Sequence, residues 1–217
     1  MQVPSRVLGL TGCMVLGGIA SMGYALHNVH ASYAYPFWSL LILTVATARL
    51  KMTLPGLTGN MAVSLPFLLI AVAELSLLEA LLIALPACVA QCLPKDRGKL
   101  KPIQLLFNLS TMAVAVAMAN MVGARFAFLG ALVFFLVQTI SVAGAIRLTE
   151  GGALHRVWSK IANYSFPFYV LSAGVTMIVM STVPQLGWQV PLLGLPVLGL
   201  VYRSYETYFG MSKTTHA

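Results

Sequence analysis

Eight apolar stretches joined by short polar connections dictate what this chain can become: roughly 7–26, 36–48, 57–73, 77–93, 104–122, 127–146, 165–182 and 187–202. A bilayer with a hydrocarbon core of about 30 Å asks for about 17–25 apolar residues per crossing helix, and most of the stretches meet that. The basic residues then sort themselves. Arg6 precedes the first stretch, and Arg49 and Lys51 follow the second. Lys95, Arg97, Lys99 and Lys101 lie between the fourth and fifth, and Arg147, Arg156 and Lys160 between the sixth and seventh. Arg203 and Lys213 come after the eighth, and only Arg125 breaks the alternation. Loop Lys and Arg stay on the cytoplasmic side during insertion. The pattern therefore predicts an all-α, polytopic bundle of about eight spans with both termini inside, a multi-pass protein of a cell inner membrane.

Composition agrees. Hydrophobic residues make up 59% of the chain and charged residues 8%, against about a quarter charged in soluble domains. The net charge of +8 would point to nucleic acid in a soluble domain. Here it sits in juxtamembrane loops, where insertion topology and anionic lipid headgroups account for it. The partners expected are membrane lipids and a cytoplasmic or membrane protein, with no nucleic acid. Arg6 ahead of an apolar run resembles a signal peptide, but no small-residue cleavage site precedes His27, so the segment reads as a retained helix. Residues 1–217 read as one integral-membrane domain.

The third stretch is the irregular one. Leu54-Pro55-Gly56-Leu57-Thr58-Gly59-Asn60 is rich in turn formers, and Pro66 lies inside the apolar part. Either a short helix begins near Gly59 or the segment enters as a re-entrant loop; the short helix is preferred. Glu74 to Glu79 is too brief for a domain, so stretches three and four form an antiparallel hairpin. Gly17, Gly18, Ala20, Ser21 and Gly23 on one helix, and Ala113, Ala115, Ala117 and Ala119 on another, allow close helix approach and mark both as interior. The loop 147–163 reads as polar.

Chemistry-bearing residues are few. Glu74 and Glu79 fall at an outer turn within reach of water, and His27 and His30 lie three apart on the same side. Two His and two carboxylates suit a divalent cation; ordinary wet loop positions are the competing reading. Cys88 and Cys92 share a helix face but have no accompanying pair on their side, which favours packing. Among uncharged polar residues within the spans, Asn108, Asn60 and Gln138 are the candidates for a ligand pocket, with interhelical hydrogen bonding the plainer alternative. Asn108 stands out because it lies beside the Ala-rich segment. No triad, HExxH, GxSxG, Walker or GxGxxG context occurs, so the reading is non-enzymatic, with no cofactor.

Several segments carry a resemblance: Ala48-Arg49-Leu50-Lys51 through Gly59, Ala73-Glu74-Leu75-Ser76, Gln104-Leu105-Leu106-Phe107-Asn108, Phe166-Pro167-Phe168-Tyr169-Val170, and Leu195-Pro196 through Tyr202-Arg203-Ser204-Tyr205. Together they resemble the N-terminal multi-span input region that precedes GGDEF (diguanylate cyclase) or HD-GYP (phosphodiesterase) domains in bacterial signalling proteins. In that family the Tyr-Arg-Ser-Tyr element continues into a signalling helix; here the sequence runs to Ala217 with no output domain. The resemblance implies sensing or ligand binding without cyclic-di-GMP turnover. A small-solute or lipid transporter, or an accessory subunit of a membrane complex, is the alternative.

Overall fold

The computed structural model describes residues 5–28, 35–53, 60–93, 101–123, 126–186 and Arg203. Among them are seven helices: α1 Ser5–His27, α2 Tyr35–Ala48, α3 Leu65–Glu74, α4 Leu77–Cys92, α5 Pro102–Gly123, α6 Ala127–Glu150 and α7 Leu154–Leu186. A two-stranded hairpin, β1 Lys51–Thr53 and β2 Asn60–Ala62, separates α2 from α3. Four helices, α1, α5, α6 and α7, are long and apolar enough to cross a membrane; α2, α3 and α4 are shorter. The stretch 187–202 lies outside the described residues, apart from the neighbouring Arg203.

The third stretch departs from expectation. The chain forms neither a helix from Gly59 nor a plain loop: β1 and β2 pair antiparallel, Lys51 opposite Ala62 and Thr53 opposite Asn60. The Val63 amide then donates to the Leu50 carbonyl at 3.2 Å. Such pairing satisfies backbone groups locally, which matters wherever water is scarce. The helix starts only at Leu65, and Pro66 falls in its first turn, where a missing N–H costs nothing. With 10 residues and a rise of 1.5 Å per residue, α3 is about 15 Å long, half a hydrocarbon core. Leu65 through Val72 are all buried, so protein, rather than lipid, surrounds this short helix.

The centre of the bundle is α5, which packs against α1, α4 and α6 and touches α3; α7 lies on α6 and α3, and α2 on α4 and α3. Ala113, Ala115, Ala117 and Ala119 are all buried. Alanines two apart point around a helix rather than along one face, which suits a helix with neighbours on several sides. Close approach replaces hydrophobic drive as the source of association between apolar helices. A methyl on Gly130 would meet Gly123 Cα at 2.8 Å, and one on Gly18 would meet Ser110 Cα at 3.2 Å. The expectation for α1 is only partly met. Val7, Thr11, Gly18 and Ala25 face inward, but Ala20 and Gly23 are exposed, so α1 is a peripheral helix. The loop expected at 147–163 is also corrected: Gly151 and Gly152, at φ 82° and 94°, make a tight turn that glycine alone adopts freely. From Leu154 the chain is helical again.

Contacts order the helix ends into two rims. The close pass of Gly123 and Gly130 joins α5 and α6 antiparallel. Leu10 approaches Gly144, setting the start of α1 beside the end of α6, and Asn108 meets Cys92, setting the start of α5 beside the end of α4. One rim therefore holds Arg6, Leu93, Lys101, Arg147 and the α6–α7 turn; the other holds His27, Glu74, Ser76 and Phe126.

Candidate functional site

Most hydroxyls within the helices are bonded to their own backbone. Thr44 and Thr47 donate to the carbonyls of Leu40 and Leu43, both at 2.6 Å. Thr139, Ser165 and Ser172 do the same to Phe135, Ile161 and Phe168. An i−4 bond of this kind satisfies a hydroxyl without a partner helix. A smaller set reaches across: Thr176 Oγ1 to Pro66 O at 3.4 Å, Trp158 Nε1 to Thr139 Oγ1 at 3.1 Å, and Asn120.

Asn120 completes the α3–α4 turn. Ser76 and Glu79 form a reciprocal capping box at the start of α4, the Ser76 amide donating to Glu79 Oε2 at 3.2 Å and the Glu79 amide to Ser76 Oγ at 3.4 Å. In an uninterrupted helix those amides would have served the carbonyls of Val72 and Leu75, four residues earlier. Asn120 Nδ2 supplies the replacement, reaching Val72 O at 2.7 Å and Leu75 O at 3.2 Å. Asn120 is not among the residues singled out from the sequence above. The Ser76-x-x-Glu79 spacing was the visible signal.

The capping box also corrects the reading of Glu79 as a wet turn residue. Its side chain is 4% exposed and accepts the Ser76 hydroxyl at 2.6 Å. Glu74 and His27 are exposed, and His30 lies outside the described residues. Among the described residues no three of His, Cys, Asp and Glu gather in a way that would hold a metal ion.

Of the three candidate ligand residues, Asn60 pairs through its backbone with Thr53, and its side chain lies outside the described residues. Asn108 and Gln138 share a pattern. Asn108 Nδ2 donates to Cys92 Sγ at 3.3 Å, and Gln138 Nε2 to Met112 Sδ at 3.5 Å. Thioether and thiol sulfurs are weak acceptors. Asn108 and Met112 stand one turn apart on α5, hence on one face. Between them in sequence is Thr111, 1% exposed, whose Oγ1 has no hydrogen-bond partner. Cys88 is buried one turn from Cys92 on α4. Two amides therefore donate to sulfur across α5, Asn108 toward α4 and Met112 accepting from Gln138 on α6, and α5 also carries the buried, unpaired Thr111 hydroxyl. A ligand oxygen would be a better acceptor for each amide than the sulfur it now has, and Thr111 has a proton to give.

A second surface feature lies on the α6–α7 seam. Phe135 packs edge-on to Tyr169 and Phe166, with ring centroids 4.9 and 5.7 Å apart. Beside them an apolar groove lined by Phe128, Leu132, Phe166 and Val170 opens outward, with a free volume of only about 20 Å³.

Comparison with family models, curated proteins and solved structures finds no match for this chain.

Proposed function

We propose that this chain is a multi-pass bacterial inner-membrane protein of sensor or input-module type, which binds a small amphipathic ligand through the α4–α5–α6 junction and relays occupancy to a protein partner. The observation behind this reading is the pair of amides, Asn108 and Gln138, each bonded to sulfur, together with the unpaired Thr111 hydroxyl on α5. A buried hydroxyl lacking a partner costs on the order of 1–3 kcal/mol, and a ligand carrying a carbonyl or hydroxyl group would remove that cost. The role is recognition rather than catalysis and needs no cofactor. Its likeness to input regions of GGDEF and HD-GYP proteins is a further support.

The topology belongs to the same proposal: eight crossings with both termini cytoplasmic, α3 and the β-hairpin together making the third. The basic alternation supports it, as does the clustering of Arg6, Lys101, Arg147, Arg156 and Lys160 toward one end of the helices.

The test is purification of the full chain in mild detergent from native membranes, with mass-spectrometric identification of what co-elutes. A co-eluting small molecule that is lost from the N108L/Q138L variant supports the reading. Identical profiles for both proteins would remove it. Saturable solute flux in proteoliposomes would instead favour the transporter reading.

A further inference from the structure

We propose that Cys88 and Cys92, one turn apart at the end of α4, together hold a single monovalent soft metal ion of the copper(I) class. The inference goes beyond the ligand reading above and does not depend on it, since it concerns the sulfur side of the Asn108 contact.

Both thiols belong to one face of α4, because residues four apart on a helix stand one above the other. Cys88 is 3% exposed, Cys92 is half-buried in the last turn, and their side chains are hydrogen-bonded to each other. Such a pair does not oxidise in place. Its Cβ carbons are about 5–6 Å apart, whereas a disulfide needs about 3.5–4.5 Å, so closing the bond would unwind the end of the helix. The same spacing suits an ion seated between the sulfurs: two metal–thiolate bonds of about 2.3 Å each span about 4.6 Å.

Packing alone accounts for the burial of Cys88 but not for Asn108, whose Nδ2 reaches from α5 to Cys92 Sγ at 3.3 Å. A thiol sulfur is a weak acceptor, whereas a metal-bound thiolate is charged and draws such donors. No vacant seat is required, because the ion takes the place of the thiol protons and the Asn108 bond is kept. Binding breaks two S–H bonds, forms two metal–sulfur bonds and releases two protons to water, with no change in oxidation state. The Asn108 N–H meets the single negative charge left on the complex. The donor set also selects the ion. Thiolates favour copper(I), which two donors satisfy. Structural zinc asks for four ligands, and among the described residues no three of His, Cys, Asp and Glu gather. In the proposed topology the last turn of α4 lies at the cytoplasmic rim, where thiols stay reduced, and the half-buried Cys92 gives the ion its way in.

The experiment sets the full chain, reduced and in mild detergent, to compete for copper(I) with a chromogenic cuprous chelator whose absorbance falls as the ion is withdrawn. The wild type should withdraw one equivalent, and C13S, which removes the exposed thiol of α1, should do the same. C88S/C92S should withdraw none at an unchanged melting temperature. N108L keeps both thiols and should bind about tenfold more weakly, the low end of the effect of losing a group bonded to a metal ligand. The wild type also gives a reading free of any substitution: near-ultraviolet thiolate-to-copper absorption should saturate at one equivalent and survive equimolar zinc. Absence of that saturation, removal of the signal by zinc, or withdrawal of a full equivalent by C88S/C92S would overturn the assignment.

Discussion

Replacing Asn120 with leucine removes the side chain that reconciles the α4 capping box with the end of α3. Two hydrogen bonds are lost, at 2.7 and 3.2 Å. The carbonyls of Val72 and Leu75 cannot recover their helical donors, because the amides of Ser76 and Glu79 are held by the capping box. Interhelical hydrogen bonds in membrane proteins contribute about 0.6 kcal/mol on average and up to about 1.7. Two such bonds with both acceptors stranded put N120L about 2 kcal/mol below the wild type, or about 4–8 °C in melting temperature for a chain of this size. Thermal unfolding in detergent, followed by tryptophan fluorescence, is the assay. The internal reference is N108L, which forfeits one bond to sulfur at 3.3 Å and should cost about 0.5 kcal/mol. If N120L melts with the wild type, or N108L falls further than N120L, the account of the turn is wrong.

Four other outcomes follow from the same geometry. G130A forces a methyl to within 2.8 Å of Gly123 Cα and 3.1 Å of Ala119 O, and overpacking of this kind costs about 1–3 kcal/mol. G174A, which meets nothing within 4 Å, should leave the melting temperature level or slightly raised, since alanine is the better helix former. S76A dismantles the capping box and should lower stability by about 1 kcal/mol in the same melt. Zinc titrated calorimetrically at pH 7.5 should give equal heats for wild type and H27A/H30A, because the Glu79 carboxylate is engaged by Ser76. A heat abolished by the double substitution would restore a cation site at the outer rim.

Much of this architecture could be read from the chain, and the misses have physical causes. Apolar runs of helical length gave α1, α5 and α6 to within a few residues. The hairpin at Lys51–Ala62 was missed because three-residue strands are too short to show a period of two, although the Pro and Gly between them had signalled a turn. The start of α7 was missed because Arg156 and Lys160 made 147–163 look like a loop. The spacing of Leu154, Val157, Trp158 and Ile161 was the helical stripe that charge obscured. Glu79 looked wet since a carboxylate at a turn normally is; the capping box that buries it needed Ser76 to be read as an N-cap. Asn108 and Gln138 were visible as polar residues in apolar helices. Their sulfur partners, and the link through Met112, depend on which helices become neighbours, which no periodicity encodes.

The central claim is that the basic helix ends share the cytoplasmic side of a bilayer, and reporter fusions test it most directly. Fusions after Lys101 and after Lys160 should both report cytoplasmic, and fusions near His30 and Gln185 periplasmic. A periplasmic signal after Lys101 would contradict the proposed topology outright.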